Sequence, residues 1–114
     1  MEKITVYHNP RCSKSRGACT VLNENKLEFE TVEYIKKPPT KTKLKSLLKM
    51  LGMKPIDLIR KDEDAFKKYK NIKLTDEKLI ELMIANPILI ERPIVVVGKK
   101  AVIARPPELI LELL

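Results

Sequence analysis

Short β-prone runs stand near the two ends of this chain, and most of what lies between them is patterned for helix. Ile4, Val6 and the flanking Thr5 and Tyr7 make the first run, and His8-Asn9-Pro10 breaks it. A second candidate strand spans about Glu28 to Tyr34. Ile94 to Val97 is a β-branched run, Gly98-Lys99 suits a two-residue hairpin turn with Gly first, and Ala101 to Ala104 is its expected partner. Between the first two runs, residues from about Ser13 to Asn23 carry Ala18, Val21 and Leu22 at helical spacing. The expected order is β-α-β, a helical block, then β-β-α. The expected arrangement is a mixed sheet with helices covering it.

Local signals set the elements of the helical block. Thr40 is the expected N-cap of a helix whose apolar face is Leu44, Leu47, Leu48 and Leu51, with Gly52 at its stop. Pro55 to Ile59 reads as a short helical turn, and the lysine-rich stretch around Phe66 and Tyr69 as ambiguous. Thr75 opens another helix, with Asp76 and Glu77 in its first turn, where the helix dipole favours carboxylates. Leu79, Leu82 and Met83 form its apolar face, and Asn86-Pro87 ends it. Pro106 is expected to open a final helix from a first-turn position. With 114 residues, no repeat and no linker, the expectation is one α/β domain over residues 1–114. The element order is the thioredoxin-like one, β-α-β and β-β-α, with helices inserted between the halves.

Composition narrows the function classes. The net charge is +8, but most of it is Lys interleaved with Glu, and aromatic side chains for base stacking are nearly absent. Nucleic-acid binding is therefore not expected. Two cysteines in a chain of this size do not make a disulfide framework. There is no basic-then-apolar leader and no apolar run of membrane-span length, so a cytoplasmic protein with reduced thiols and no membrane contact is expected. One histidine and no suitably spaced cysteine pair argue against a metal site. Three glycines leave no phosphate-cradling loop, and no bound cofactor is expected.

The chemistry concentrates at Cys12, between a strand end and a helix start. Main-chain N–H groups at a helix N-terminus stabilise a thiolate and lower the thiol pKa. Arg11, Lys14 and Arg16 add positive charge nearby, and His8 is four residues upstream. Cys12 is the expected nucleophile; the competing reading is a small cysteine buried at a turn. Cys12-Ser13-Lys14-Ser15 is C-x-x-S, so Ser15 cannot close a disulfide with Cys12. It can donate to the thiolate or cap the helix. Cys19 stands seven residues further along a helix, roughly 10 Å away, whereas a disulfide needs Cα atoms within about 7 Å. Cys19 is read as a packing residue, and oxidised Cys12 is expected to need a thiol from outside the chain.

Arginine is used sparingly: Arg11, Arg16, Arg60, Arg92 and Arg105 are the only five among 23 basic residues. Two flank Cys12, and the other three stand at a helix end, a proline or a turn. A guanidinium presents a planar fork of donors that matches an oxyanion, which an ammonium does not. Surface ion pairing is the competing explanation, and it accounts poorly for so restricted a distribution.

These residues carry a family resemblance along the whole chain. Tyr7-His8-Asn9-Pro10-Arg11-Cys12-Ser13-Lys14-Ser15-Arg16, Leu58-Ile59-Arg60-Lys61, Asn86-Pro87-Ile88-Leu89-Ile90-Glu91-Arg92-Pro93-Ile94-Val95 and Arg105-Pro106-Pro107-Glu108 resemble, in order, the motifs of the glutaredoxin-linked arsenate reductases. The resemblance implies a thioredoxin-like fold and reduction of arsenate to arsenite through a Cys12 adduct, with glutathione as co-substrate and a glutaredoxin as partner. It implies that Arg60, Arg92 and Arg105 hold the oxyanion, that Pro93 is the cis-proline beside the thiol, and that His8 and Ser15 tune the thiolate. Two other activities stay open. One is a generic glutathione-dependent thiol reductase. The other is a redox regulator of the same fold that binds RNA polymerase; such regulators usually carry C-x-x-C, so Ser15 counts against it.

Overall fold

A computed structural model of the chain describes residues 3–114. Four strands form one sheet in the order β2-β1-β3-β4: β1 (Ile4–Tyr7), β2 (Glu30–Val32), β3 (Ile94–Val97) and β4 (Lys100–Ile103). β1 runs parallel to β2 and antiparallel to β3, and β3 runs antiparallel to β4. The crossover between β1 and β2 is helix α1 (Ser13–Glu24). This is the mixed thioredoxin-like α/β sheet that the element order implied.

The chain divides into two compact units. The first joins Met1–Lys37 to Arg92–Leu114 and holds the sheet. Its core is Ile4, Val6, Ala18, Leu22, Val95, Val97, Ala104 and Ile110, all buried. Burying such side chains contributes about 1.5–3 kcal/mol each for the larger ones, and this sets the faces of β1, α1 and β3. Cys19 packs against the edge of this cluster. The hairpin turns at Gly98, whose φ of 61° suits a residue without Cβ; Val97 pairs with Lys100 across it.

The second unit, Pro38–Glu91, is helical. It contains α2 (Lys41–Leu51), α3 (Pro55–Leu58), α4 (Asp64–Lys67), α5 (Asp76–Ala85) and a 3-10 turn, Pro87–Leu89. Thr40 Oγ1 accepts from the Lys43 N–H at 3.1 Å, and Thr75 Oγ1 from the Lys78 N–H at 3.2 Å. Each satisfies one orphan donor of its helix. Gly52 closes α2 in the left-handed region, with φ 66°. Glu77 bridges Lys41 and Lys45 at 2.5 and 2.8 Å, so part of the Lys–Glu patterning does form ion pairs between helix surfaces.

Three boundaries differ from the expectation. β2 is only three residues because its register partners are Thr5, Val6 and Tyr7; the His8 N–H then donates to the Val32 carbonyl at 2.8 Å. β4 is shifted one residue toward the turn, and the Ala104 N–H, just past its end, donates instead to the Pro93 carbonyl at 2.9 Å. The last helix begins at Pro107, not Pro106, and is a 3-10 helix (Pro107–Leu113). A residue before proline is pushed out of the helical region. Pro106 accordingly stays extended, at φ −73° and ψ 160°, and Pro107 takes the first helical position.

Candidate active site

The turn that carries Cys12 is braced by the residues around it. The Cys12 N–H donates to the Asn9 carbonyl at 2.9 Å, and the Arg11 N–H donates to Asn9 Oδ1 at 3.1 Å. Ser15 is wholly buried, and its Oγ accepts from the Asn9 N–H at 3.3 Å. Arg16 reaches back to the Pro10 carbonyl, with Nη1 donating at 2.9 Å. The loop is thus closed from within, and Cys12 becomes the N-cap of α1 in an extended conformation, with no side-chain cap bond of its own. Its sulfur is left to the orphan donors of the first turn.

The electrostatics at this sulfur favour the anion. Partial burial alone would raise the Cys12 pKa; the main-chain N–H of Ser15, the guanidinium of Arg92 and the main-chain N–H of Lys14 outweigh it and hold the thiol at about 7. An ordinary thiol ionises at about 8.5. A substantial fraction is therefore thiolate at neutral pH, which is the nucleophilic form. Arg92 is half-buried, with Nε and Nη1 shielded from water, so its charge acts on the sulfur with little screening.

Each expected site residue has a defined place. Pro93 is buried, and the Arg92–Pro93 and Arg105–Pro106 peptides are both cis. Arg105 is exposed and lines a cleft of about 410 Å³ with Lys14, Ala104, Pro106 and Pro107. The Ser15 hydroxyl braces the loop through Asn9, while the Ser15 main-chain N–H serves the Cys12 sulfur. The His8 side chain meets the other thiol: Nδ1 lies 3.9 Å from Cys19 Sγ. Burial lowers the His8 pKa, the Glu33 carboxylate opposes that, and Arg16 reinforces it. Burial also pushes the Cys19 thiol up. Arg60 belongs to the helical unit, where its half-buried Nη1 donates to Glu63 Oε1 at 2.5 Å and its main-chain N–H donates to the Leu89 carbonyl at 2.7 Å. Both cysteines are free thiols. Among the described residues no cluster of three or more His, Cys, Asp or Glu suits a metal ion, and no helix is long and apolar enough to cross a membrane.

Several contributors were not singled out from sequence. Asn9 organises the loop from both its main chain and its side chain, and Glu63 anchors Arg60. An i, i+3 Arg–Glu spacing was the available signal for the second. Gly17 faces the last helix: a Cβ there would stand 3.1 Å from Pro107 Cγ, so the glycine admits the proline ring against α1.

Comparison with known proteins matches this architecture over nearly its full length. The ArsC family model matches residues 7–113, a span that includes Cys12, Arg60, Arg92 and Arg105. The uncharacterized protein YfgD of Escherichia coli strain K12 is 46% identical over 115 residues, covering 98% of this chain and 97% of YfgD. An arsenate reductase of the same organism is 36% identical over 116 residues, covering all of this chain and 82% of its own length. The solved structure of an arsenate reductase from Vibrio cholerae superposes with a TM-score of 0.93 at 35% identity, covering 99% of this chain and 98% of that one. On the extent and identity of these matches, the chain belongs to the ArsC family.

Proposed function

We propose that this protein is an oxidoreductase that reduces arsenate to arsenite through a covalent adduct on Cys12, with glutathione and a glutaredoxin as outside reductants. The observation that carries the reading is the Arg92 guanidinium at the sulfur of a thiol held at about pH 7. One cation there favours both the thiolate and an incoming oxyanion. Relatives that bear the name arsenate reductase support the choice of oxyanion.

In this scheme the Cys12 thiolate attacks arsenic(V). One oxygen takes up a proton and leaves as water, and an S–As bond forms. Arg60, Arg92 and Arg105 offset the negative charge on the arsenic oxygens with planar donor forks. A glutathione thiolate then attacks the Cys12 sulfur. An S–S bond forms, the S–As bond breaks, and its electron pair stays on arsenic, which departs as arsenite. A glutaredoxin thiolate takes glutathione off Cys12 and restores the thiol. Ser15 keeps the loop closed, Pro93 backs the site, and His8 sits in the same loop. The requirement for reduced outside thiols suits the cytoplasm.

The test is arsenate-dependent NADPH oxidation coupled through glutathione reductase, glutathione and a glutaredoxin. Activity should vanish in Cys12→Ser and largely survive in Cys19→Ser. An equally dead Cys19→Ser would overturn the outside-thiol scheme. Activity on mixed disulfides with none on arsenate would replace the arsenate reading with a general thiol reductase.

A further inference from the structure

The cleft lined by Lys14, Ala104, Arg105, Pro106 and Pro107 is larger than an oxyanion needs. About 410 Å³ falls in the range of sites for small organic molecules, and one tetrahedral anion fills only a fraction of it. Two prolines and an alanine make its apolar wall, and two exposed residues, Lys14 and Arg105, supply its charge, with no carboxylate among the lining residues. The Pro107 ring rests against α1 at Gly17, so that wall is fixed to the helix that carries the thiol. Lys14 belongs to both places: its main-chain N–H serves the Cys12 sulfur, and it lines the cleft.

We infer that this cleft seats the reducing thiol, and that Lys14 is a specificity residue selecting a small thiol that carries carboxylates. A carboxylate held by the Lys14 ammonium, with apolar stem on the prolines, keeps the incoming sulfur beside the first turn of α1. The inference rests on the reading that an outside thiol resolves Cys12. It does not require that the oxyanion be arsenate.

The reaction that tests it contains no arsenate. In the Cys19→Ser background, Cys12 is converted to a mixed disulfide with 2-thiopyridine, a label that carries no carboxylate. An incoming thiolate attacks the Cys12 sulfur, a new S–S bond forms, and the old one breaks with its electron pair leaving on 2-thiopyridine, which takes up a proton to give the absorbing 2-thiopyridone. Release rates are compared for glutathione, its diethyl ester and 2-mercaptoethanol. Lys14→Gln should slow glutathione by about threefold to fivefold, the worth of one partly screened ion pair. Lys14→Glu should slow it further, and Lys14→Arg should restore most of the rate. The ester and 2-mercaptoethanol should change by a clearly smaller factor than glutathione in every variant, since neither carries a carboxylate for Lys14 to hold. A uniform change with all three thiols would assign Lys14 to the reactivity of Cys12 itself and overturn the inference. An unchanged glutathione rate in Lys14→Glu would overturn it equally. Because the labelled protein needs no oxyanion, failure here and failure of the arsenate assay are separate results.

Discussion

His8 Nδ1 lies 3.9 Å from Cys19 Sγ, so the chain's one histidine meets a buried-side thiol rather than standing free in the loop. Burial pushes the Cys19 thiol pKa up and the His8 pKa down, so it favours the neutral form of each. The two groups thus meet through one Sγ···Nδ1 contact. With a single histidine, an NMR titration reads this site without ambiguity. His8 should titrate below its ordinary value of about 6.5, and lower still in Glu33→Gln, which removes the opposing carboxylate. The unfolded chain binds this proton more tightly, so the His8 contribution to stability is complete above the ordinary pKa and is lost as pH falls toward the folded one. A His8 titration above the ordinary value would reverse the assignment.

Arg92 should set the reactivity of Cys12. The alkylation rate of Cys12 by iodoacetamide should rise with pH through a midpoint of about 7, since only the thiolate reacts. In Arg92→Ala the midpoint should move up toward the ordinary thiol value of about 8.5, and the rate at pH 7 should fall several-fold. An unmoved midpoint would leave the helix N-terminus as the sole cause.

Arg60→Lys should weaken oxyanion handling, raising KM for arsenate roughly tenfold or more, because a point charge does not replace a planar fork. Glu63 holds the guanidinium at 2.5 Å, so Glu63→Gln should raise KM by a smaller factor while leaving the charge in place. Wild-type kinetics in Arg60→Lys would remove Arg60 from the site.

Gly17→Ala would ordinarily stabilise a helix interior by roughly 0.8–1 kcal/mol. Here the new Cβ would stand 3.1 Å from Pro107 Cγ, tighter than ordinary contact, so the gain should be largely cancelled. Urea denaturation should show little increase in stability. A full gain would mean that the Pro107 ring yields freely.

What was legible in the sequence follows a physical pattern. Thr40 and Thr75 cap helices because a cap depends on an N–H three residues away. The faces of α2 and α5 follow from 3.6-residue spacing, and the hairpin from Gly98. Cys12 was recognisable for the same reason, since a thiol at a strand-to-helix junction meets the orphan donors of its own first turn. The three residues of β2 were not legible, because β1 sets them by offering only Thr5 to Tyr7 as partners.

By itself the sequence determined the element order, the caps, the thiol at the start of α1 and the restriction of arginine to a few stations. These depend on neighbours within about one helical turn or on pattern along the chain. Tertiary structure decided that Arg92, from the far end of the chain, reaches the Cys12 sulfur, that His8 meets Cys19, and that Lys14 shares a cleft with Arg105. Each of these brings together side chains from separate segments, placed by the buried face of the β1–β3 pairing and by the last helix packing on α1. Packing of that kind sums many weak contacts over the whole core, so no single stretch of sequence encodes it.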